Sequence, residues 1–253
     1  MKVSIITATY NSAGSIRDSL DSVLSQDYKD IECIIIDGES KDDTLFIIET
    51  YQKKYSNITV VSEADKGIYD ALNKGVQLAT GDVIGFVHSD DLLVDNQVVS
   101  QLANQFEKGN MDGVYGDLQY VDKNNIGKVI RYWKSCDFKS RLLKKGWMPA
   151  HPTLFLRKKV YNKHGRFDLS YKIAADYDFM IRILKDDSLK FTYLPNVITK
   201  MRVGGASNRS IKNIIQKTKE DYRIIKYHTI GGFSTLINKN LSKIQQFLFN
   251  NKF

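Results

Sequence analysis

The chain has 253 residues, of which 42% are hydrophobic and 26% charged, and its formal net charge is +8. This length and composition are typical of one large soluble α/β domain or of such a domain with an appendage. No run of about 18 apolar residues is present for a transmembrane helix, and two cysteines cannot build a disulfide framework.

The first 91 residues alternate between strand and helix patterns. Apolar runs predict strands at 3–6, 34–36, 59–61 and 83–87. Helical spacing of apolar residues predicts helices over about 13–26, 42–54 and 67–79, and Ser12 is a plausible N-cap for the first of them. Strands that alternate with helices of this length favour a parallel, doubly wound sheet. Because Met1 leads directly into a strand, we expect no signal peptide and a cytoplasmic protein.

The patterns after residue 91 are more mixed. The Asn124-Asn125 turn between two β-rich stretches predicts a hairpin over 113–133. Pro195 divides a further β-rich stretch into two predicted strands within 189–203. We also predict a strand at 153–156 and helices at 92–107, 138–144, 174–185, 209–228 and 233–250.

The net charge lies entirely in the last 53 residues. Residues 201–253 contain 10 Lys or Arg and two acids, whereas residues 1–200 contain 27 residues of each sign. A basic tail can meet nucleic acid, anionic lipid or a diphosphate-bearing substrate. The neutral first 200 residues disfavour nucleic acid, and no nucleic-acid recognition module is visible.

The last predicted helix has an apolar side, and the basic residues Lys239 and Lys243 are interspersed along the same segment. The pattern is typical of a helix that lies on an anionic membrane surface. The same pattern would suit a helix packed on its own domain, or a homodimer seam. The apolar side consists of Phe233, Leu236, Ile237, Leu241, Ile244, Phe247, Leu248 and Phe249.

Polar clusters follow four successive strands, at 7–11, 37–40, 63–67 and 89–91. Ligands of open α/β sheets bind beyond the carboxyl ends of the strands, so the four clusters predict one crevice. Asp90 and Asp91 repel each other unless a cation relieves the repulsion. A hard divalent cation held by one carboxylate keeps positions free for diphosphate oxygens. The alternative is a pair of acids at a helix start.

Two further residues suggest a nucleotide base in this crevice. The first strand–helix turn lacks the Gly-x-Gly-x-x-Gly pattern of dinucleotide sites. Tyr10 stands there instead and offers an aromatic face to a base, unless it only packs at the strand end. Asp37 ends a strand of isoleucines, where a carboxylate needs water or a partner. It could accept the N3–H of uracil or thymine, or it could cap the next helix.

Three features of the second half carry polar groups with open roles. Asp178 and Arg182 are four residues apart on a predicted helix and can pair, which leaves Asp176 on another face. His151 lies in a rigid turn and could contact phosphate, metal or acceptor, or be structural. Residues 204–207, flanked by Arg202 and Arg209, could cover a diphosphate or form a plain linker.

Together these residues resemble an inverting glycosyltransferase of the large GT-A family 2, over about residues 1–205. The resemblance implies a GT-A fold: a Rossmann-like, mostly parallel sheet flanked by helices, here with a basic helical extension. It implies a nucleotide-binding half over 1–91, an acceptor-binding half over 92–205 and a tail over 206–253. The segments that carry it are Ser4–Asn11, Ile36–Thr44, Glu63–Gly75, Ser89–Asp91, His151–Thr153 and Ala175–Asp178.

The resemblance also implies roles for individual residues. Asp176 becomes the general base, in a chain that has Ala175 where the family usually has Glu. Asp91 becomes the ligand of Mg²⁺ or Mn²⁺, and His151, Arg182 and Arg202 are candidates for acceptor or diphosphate contacts. The expected reaction is a single displacement onto a glycan or lipid-linked saccharide, at the inner membrane face. A catalytically inactive sugar-nucleotide-binding protein is the alternative. The nucleotide-sugar contacts fall to Thr7, Ala8, Tyr10, Asp37, Asp65, Lys66 and Asp90.

Overall fold

The computed structural model describes residues 1–204 and 210–246, and within these ranges one nine-stranded sheet carries helices on both faces. The strands are β1 Val3–Thr9, β2 Ile31–Asp37, β3 Ile58–Ser62, β4 Val83–Phe86, β5 Asp91–Leu93, β6 Gly113–Val121, β7 Val129–Trp133, β8 Phe155–Arg157 and β9 Phe191–Arg202. The helices are α1 Ile16–Leu24, α2 Thr44–Lys54, α3 Ile68–Leu78, α4 Val98–Gly109, α5 Lys158–His164, α6 Ala175–Leu184, α7 Ile211–Tyr227 and α8 Phe233–Gln245.

The sheet has a parallel half and a mixed half. The spatial order is β3-β2-β1-β4-β8-β6-β9-β5, and β7 pairs with the free length of β6. The first four strands run parallel, with Thr9 opposite Asp37 and Asp37 opposite Ser62, so their carboxyl ends share one edge. The predicted fold is confirmed.

Alternate residues of β1 supply the cores on the two faces of the sheet. Ile6 packs in a cluster with Leu72 of α3 and Phe179 of α6. Ile5 packs in the opposite cluster with Leu20 of α1 and Phe106 of α4. This period of two is the reason why the central strands, buried on both faces, are continuous apolar runs.

Several predicted elements of the second half needed correction. Residues 91–93 form β5 rather than the start of a helix, because they pair with Thr199–Met201 of β9, and α4 begins only at Val98. The two strands predicted around Pro195 are one strand, β9, in which an exposed Pro195 coincides with a register shift against β6. The predicted helix 138–144 is a 3-10 helix at Ser140–Lys145, and α5 was not predicted.

The C-terminal helices pack against the rest of the protein. Ile224 and Ile225 of α7 and Leu236 of α8 are buried in the core cluster that contains Phe179. Phe233, Ile237 and Leu241 of the predicted apolar side stay exposed. The Ile244 side chain and residues 247–249 lie outside the described residues. No helix in the described ranges is long and apolar enough to cross a membrane.

Candidate active site

One cleft collects the predicted site residues at the carboxyl edge of the parallel strands. Its volume is about 1800 Å³, whereas a site for one small ligand usually measures about 300–1000 Å³. The cleft therefore has room for two ligands. Predicted residues on its wall are Ala8, Tyr10, Asp65, Asp90, His151, Asp176 and Arg202.

The turns after β1 and β2 are fastened to each other. The Asn11 amide donates to Ser40 Oγ at 2.8 Å, and the Lys41 amide donates to Asn11 Oδ1 at 2.8 Å. Asn11 has a φ of 49°, a left-handed value that asparagine tolerates better than most residues. Tyr10, just before it, is 60% exposed on the cleft wall, where its ring is open to a ligand.

Asp65, which follows β3, lies against the turn after β2, and it fits there because Gly38 has no side chain. A Cβ on Gly38 would lie 2.5 Å from Asp65 Oδ2, so a larger residue would displace this carboxylate. Asp65 Oδ1 accepts the Gly67 amide at 2.8 Å. Lys66 is exposed but is not among the described cleft-lining residues, and its amide donates to Asp70 at 3.0 Å.

Asp37 is fully buried beneath these turns. Its oxygens accept Ser40 Oγ at 2.5 Å, the Ser40 amide at 3.0 Å and Ser62 Oγ at 2.7 Å. This is how a carboxylate can end a strand of isoleucines. Asp37 is absent from the described cleft wall, as is Thr7, whose buried hydroxyl has no partner in the described residues. Contacts of either residue to a nucleotide stay predictions.

Asp90 and Asp91 have different surroundings. Asp90 lies on the cleft wall, and its carbonyl oxygen accepts Arg202 Nη1 at 3.0 Å. Asp91 is fully buried in β5, and neither of its carboxylate oxygens has a partner among the described residues. Burial, and then the charge of Asp90, raise the pKa of Asp91 well above its usual value. A cation would remove that cost.

Two imidazoles, one half-buried and one buried, also line the cleft. The rings of His88 and His151 lie 6.2 Å apart, and both residues line the cleft. Within the described part of the chain, neither His88 Nδ1 nor His151 Nε2 has a partner. Burial lowers the pKa of His151 to about 4, so its ring is neutral at pH 7 and can offer a lone pair.

Asp176 lies on the cleft wall, where a contact from α3 holds it. It is half-buried in the first turn of α6, where its Oδ1 lies 2.9 Å from the hydroxyl of Tyr69. The same hydroxyl lies 2.7 Å from the carbonyl oxygen of Ile173. Burial, and then Asp176, raise the pKa of Tyr69 well above its usual value, so the phenol remains a donor. Tyr69 was not predicted, although it lies in the segment that carries the resemblance.

Glu220 of α7 supports the loop before Asp176. Its carboxylate accepts the amides of Lys172, Ile173 and Ala174 at 3.0, 2.9 and 2.9 Å. These amides lead into α6, and that of Ala174, the N-cap residue, is one of the donors that a helix leaves without an intrahelical partner. Glu220, which is only 5% exposed, thus fixes the backbone that leads into the helix of Asp176. Glu220 was missed, and the available signal was a pair of adjacent acids in a basic tail.

The remaining predicted arginines are used within the protein. Arg182 pairs with Asp178, as predicted, and donates to the carbonyl oxygen of His164 at 2.7 Å. It is not among the described cleft-lining residues, because these contacts hold it at the back of α6. Arg202 reaches the cleft but is buried and paired with Asp18, so it supports Asp90. Of the loop predicted at 204–207, Gly204 lines the cleft, whereas residues 205–207 and Arg209 lie outside the described residues.

Comparison with known proteins identifies the family that this site resembles. The model of "Glycosyl transferase family 2" matches residues 4–165. A PGL/p-HBAD biosynthesis glycosyltransferase of Mycobacterium bovis is 32% identical over 81% of this chain and 78% of its own length. WfgD of Escherichia coli, a UDP-Glc:alpha-D-GlcNAc-diphosphoundecaprenol beta-1,3-glucosyltransferase, is 29% identical over 83% of this chain and 80% of its own length.

Two solved structures share the fold. S. aureus TarS 1–349 in complex with UDP-GlcNAc superimposes with a TM-score of 0.68 at 18% identity, over 99% of this chain and 72% of TarS 1–349. The mannosyltransferase PcManGT of Pyrobaculum calidifontis, in complex with GDP-Man and Mn²⁺, gives 0.69 at 17% identity, over 98% of this chain and 72% of its own. At these identities the likeness concerns the fold alone.

Proposed function

This chain belongs to glycosyltransferase family 2, and we propose that it transfers a sugar from a UDP-sugar to an acceptor hydroxyl with inversion at the anomeric carbon. One observation carries the proposal. Asp176, held by Tyr69, faces the same cleft as the strand-end turns that carry Tyr10, Asp65 and Asp90. A base and a nucleotide site in one cleft are what a single displacement needs.

The donor lies along the ends of β1 to β4. Tyr10 offers its exposed ring to the base. For Asp37 to accept the uracil N3–H, the base would have to replace the Ser40 or Ser62 hydroxyl that its buried carboxylate now accepts. Asp90 lies on the wall where the ribose passes. Asp65, positioned beside Gly38, faces the donor from the end of β3.

Asp176 acts as the general base. It takes the proton from the acceptor hydroxyl while the hydroxyl oxygen attacks the anomeric carbon from the face opposite the diphosphate. The new bond forms as the bond to the diphosphate oxygen breaks, and the bonding electrons leave with UDP. The Tyr69 hydrogen bond orients the carboxylate, so that one oxygen is kept for the substrate.

The surroundings of Asp91 fit a divalent cation. Its two buried oxygens have no hydrogen-bond partner in the described residues, although Asp91 is not among the described cleft-lining residues. The described residues contain no ready-made group of three metal ligands, so diphosphate oxygens would complete the shell. When bound, Mg²⁺ or Mn²⁺ supplies positive charge to the leaving diphosphate.

The acceptor is a hydroxyl of a glycan or of a lipid-linked saccharide, in the building of a bacterial surface polysaccharide. The name of WfgD includes such a diphospholipid acceptor. Exposed apolar residues of the C-terminal helices, Ile211 and Phe233 among them, would place the enzyme on an anionic membrane surface that carries these lipids.

Calorimetry with the full-length protein tests the donor site and its cation. We expect UDP to bind at least about tenfold, or 1.4 kcal/mol, more tightly with Mn²⁺ than in chelator, and more tightly than GDP. Asp91→Asn should lose the effect of Mn²⁺, whereas Asp187→Asn, an exposed control, should keep it. Equal UDP affinity with and without Mn²⁺ would show that Asp91 holds no cation.

A further inference from the structure

Beyond Asp176 the cleft continues along a wall that the donor chemistry does not use. The described lining of the whole cleft contains eight Lys or Arg residues and three carboxylates, Asp65, Asp90 and Asp176. All three carboxylates already have roles at the donor or as the base. The part of the described lining formed by α7 and by residues 172 and 177 carries cationic, amide and hydroxyl groups. We call it the basic wall and define it by Lys172, Tyr177, Lys212, Gln216 and Lys217.

The basic wall is built on α7 and is fixed relative to the catalytic base. Lys212, Gln216 and Glu220 are spaced by four residues and share one face of the helix. Glu220 holds this face against the amides of residues 172–174, and Gln216 Nε2 donates to Glu220 Oε1 at 2.8 Å. Lys212 lies about 12 Å from Glu220 along the helix axis, toward the N-terminus of α7, because the helix rises about 1.5 Å per residue. The wall thus extends outward from the loop that precedes Asp176.

Several polar groups of the basic wall lack a counter-charge or a partner. In the described ranges no carboxylate pairs with Lys172 or Lys212. Asp221 is shared by Lys217 at 3.1 Å and Lys239 at 2.6 Å. The buried hydroxyl of Tyr177 has no partner among the described residues. Burying a hydroxyl without a partner is costly, and an anion bound here would accept from it and neutralise the lysines.

The outer end of the basic wall borders an apolar surface. Ile211, Ile214 and Ile215 of α7 flank Lys212 and are each half exposed or more. If the anionic group of a ligand binds Lys212 and Lys172, the group attached to that anion would contact these isoleucines. These features fit a ligand in which a diphosphate joins a saccharide to an apolar chain. The saccharide would lie toward Asp176 and the apolar chain over α7.

We propose that the basic wall binds the diphosphate of a lipid-linked acceptor and so presents the acceptor saccharide to Asp176. The inference rests on the proposed function, since it assigns residues of that same site to the diphosphate of the acceptor. Lysine suits the task because its ammonium is a mobile point charge on a long stem, and two such stems can converge on one diphosphate.

Binding of two diphosphate probes to the full-length protein tests the inference. The protein is first saturated with UDP and Mn²⁺, which blocks the donor site, and is then titrated with a short-chain alkyl diphosphate or with inorganic pyrophosphate. We expect both probes to bind, the alkyl diphosphate more tightly. The double variant Lys172→Ala/Lys212→Ala should bind both at least tenfold more weakly. Lys172→Arg/Lys212→Arg, which keeps the charge, should retain binding.

The control is Lys53→Ala/Lys108→Ala, two exposed lysines of α2 and α4, which should behave like the unmodified protein. UDP affinity is measured for every variant. A protein that binds UDP but neither probe, or an alanine double variant that binds the probes normally, would overturn the inference and leave the proposed function standing. Failure of UDP to bind the unmodified protein would instead overturn the proposed function. Pyrophosphate bound as tightly as the alkyl diphosphate would contradict the apolar part of the site.

Discussion

The proposed donor side and the proposed acceptor side of the cleft are built in different ways. On the donor side each turn follows its own strand, and contacts such as Asn11 to Ser40 join neighbouring strand ends. On the acceptor side, α7 reaches back to residues that precede it by more than 40 positions, through Glu220. Donor binding should therefore be a property of the parallel half, whereas turnover should depend on both regions.

The largest effect should come from Asp176, where the two regions meet. Asp176→Asn keeps the shape of the side chain but removes the proton acceptor, so we expect transfer to fall by about 10²–10⁴-fold. UDP affinity, which belongs to the donor side, should stay unchanged in calorimetry. Asp187→Asn serves as the matched control. Near-normal turnover of Asp176→Asn would place the base elsewhere.

Glu220 tests whether the C-terminal helices act on catalysis. Glu220→Ala leaves three backbone amides without their acceptor, at a cost of about 1–3 kcal/mol each when they are buried. Because small misplacements of a catalytic group can cost about 10²-fold, we expect kcat to fall by about 10- to 100-fold while UDP affinity is kept.

Glu220→Gln separates positioning from general stability. The amide keeps one accepting oxygen, so this variant should regain part of the kcat that Glu220→Ala loses. Glu107→Ala, on an exposed position of α4, is the control. If Glu220→Ala lowered thermal stability but left kcat intact, α7 would be a purely structural support.

The smallest effect should be membrane attachment through the exposed face of the extension. Each basic residue near an anionic surface contributes about 1 kcal/mol, and the attraction is screened by salt. The full-length protein should float with anionic liposomes at low salt and less at high salt. Ile211→Ser/Ile214→Ser should reduce flotation, whereas Phe46→Ser, an exposed apolar residue of α2, should not. If the full-length protein does not float at low salt, the helices do not attach it to membranes, and their role is to pack against the rest of the protein.

The sequence predicted the crevice at the carboxyl ends of β1 to β4 because the signals for it are local. The apolar runs of β1 to β4 and the polar residues directly after them are enough to place Tyr10, Asp65 and Asp90 in one crevice. The spacing of the helix left Asp176 on a face of its own, but its role as the base came only from the resemblance. The pairing of Asp178 with Arg182 could be predicted because both residues lie on one helix.

What the sequence did not predict depends on distant contacts. Residues 91–93 form a strand because β9 lies beside them, and no local pattern shows this pairing. The sequence shows the net charge of the tail but not where each lysine lies in the fold. Lys239 is buried against Asp221, whereas Lys212 faces the cleft. Glu220 could not be linked to Asp176 before the packing of α7 was known.

The anomeric configuration of the released sugar tests the central claim most directly. With a UDP-sugar and Mn²⁺, hydrolysis by a high concentration of the full-length protein releases free sugar faster than it mutarotates, so that proton NMR can observe the first anomer. We predict that the first sugar formed has the configuration opposite to that of the donor, and that Asp176→Asn does not form it. A first product with the configuration of the donor would contradict single displacement at Asp176.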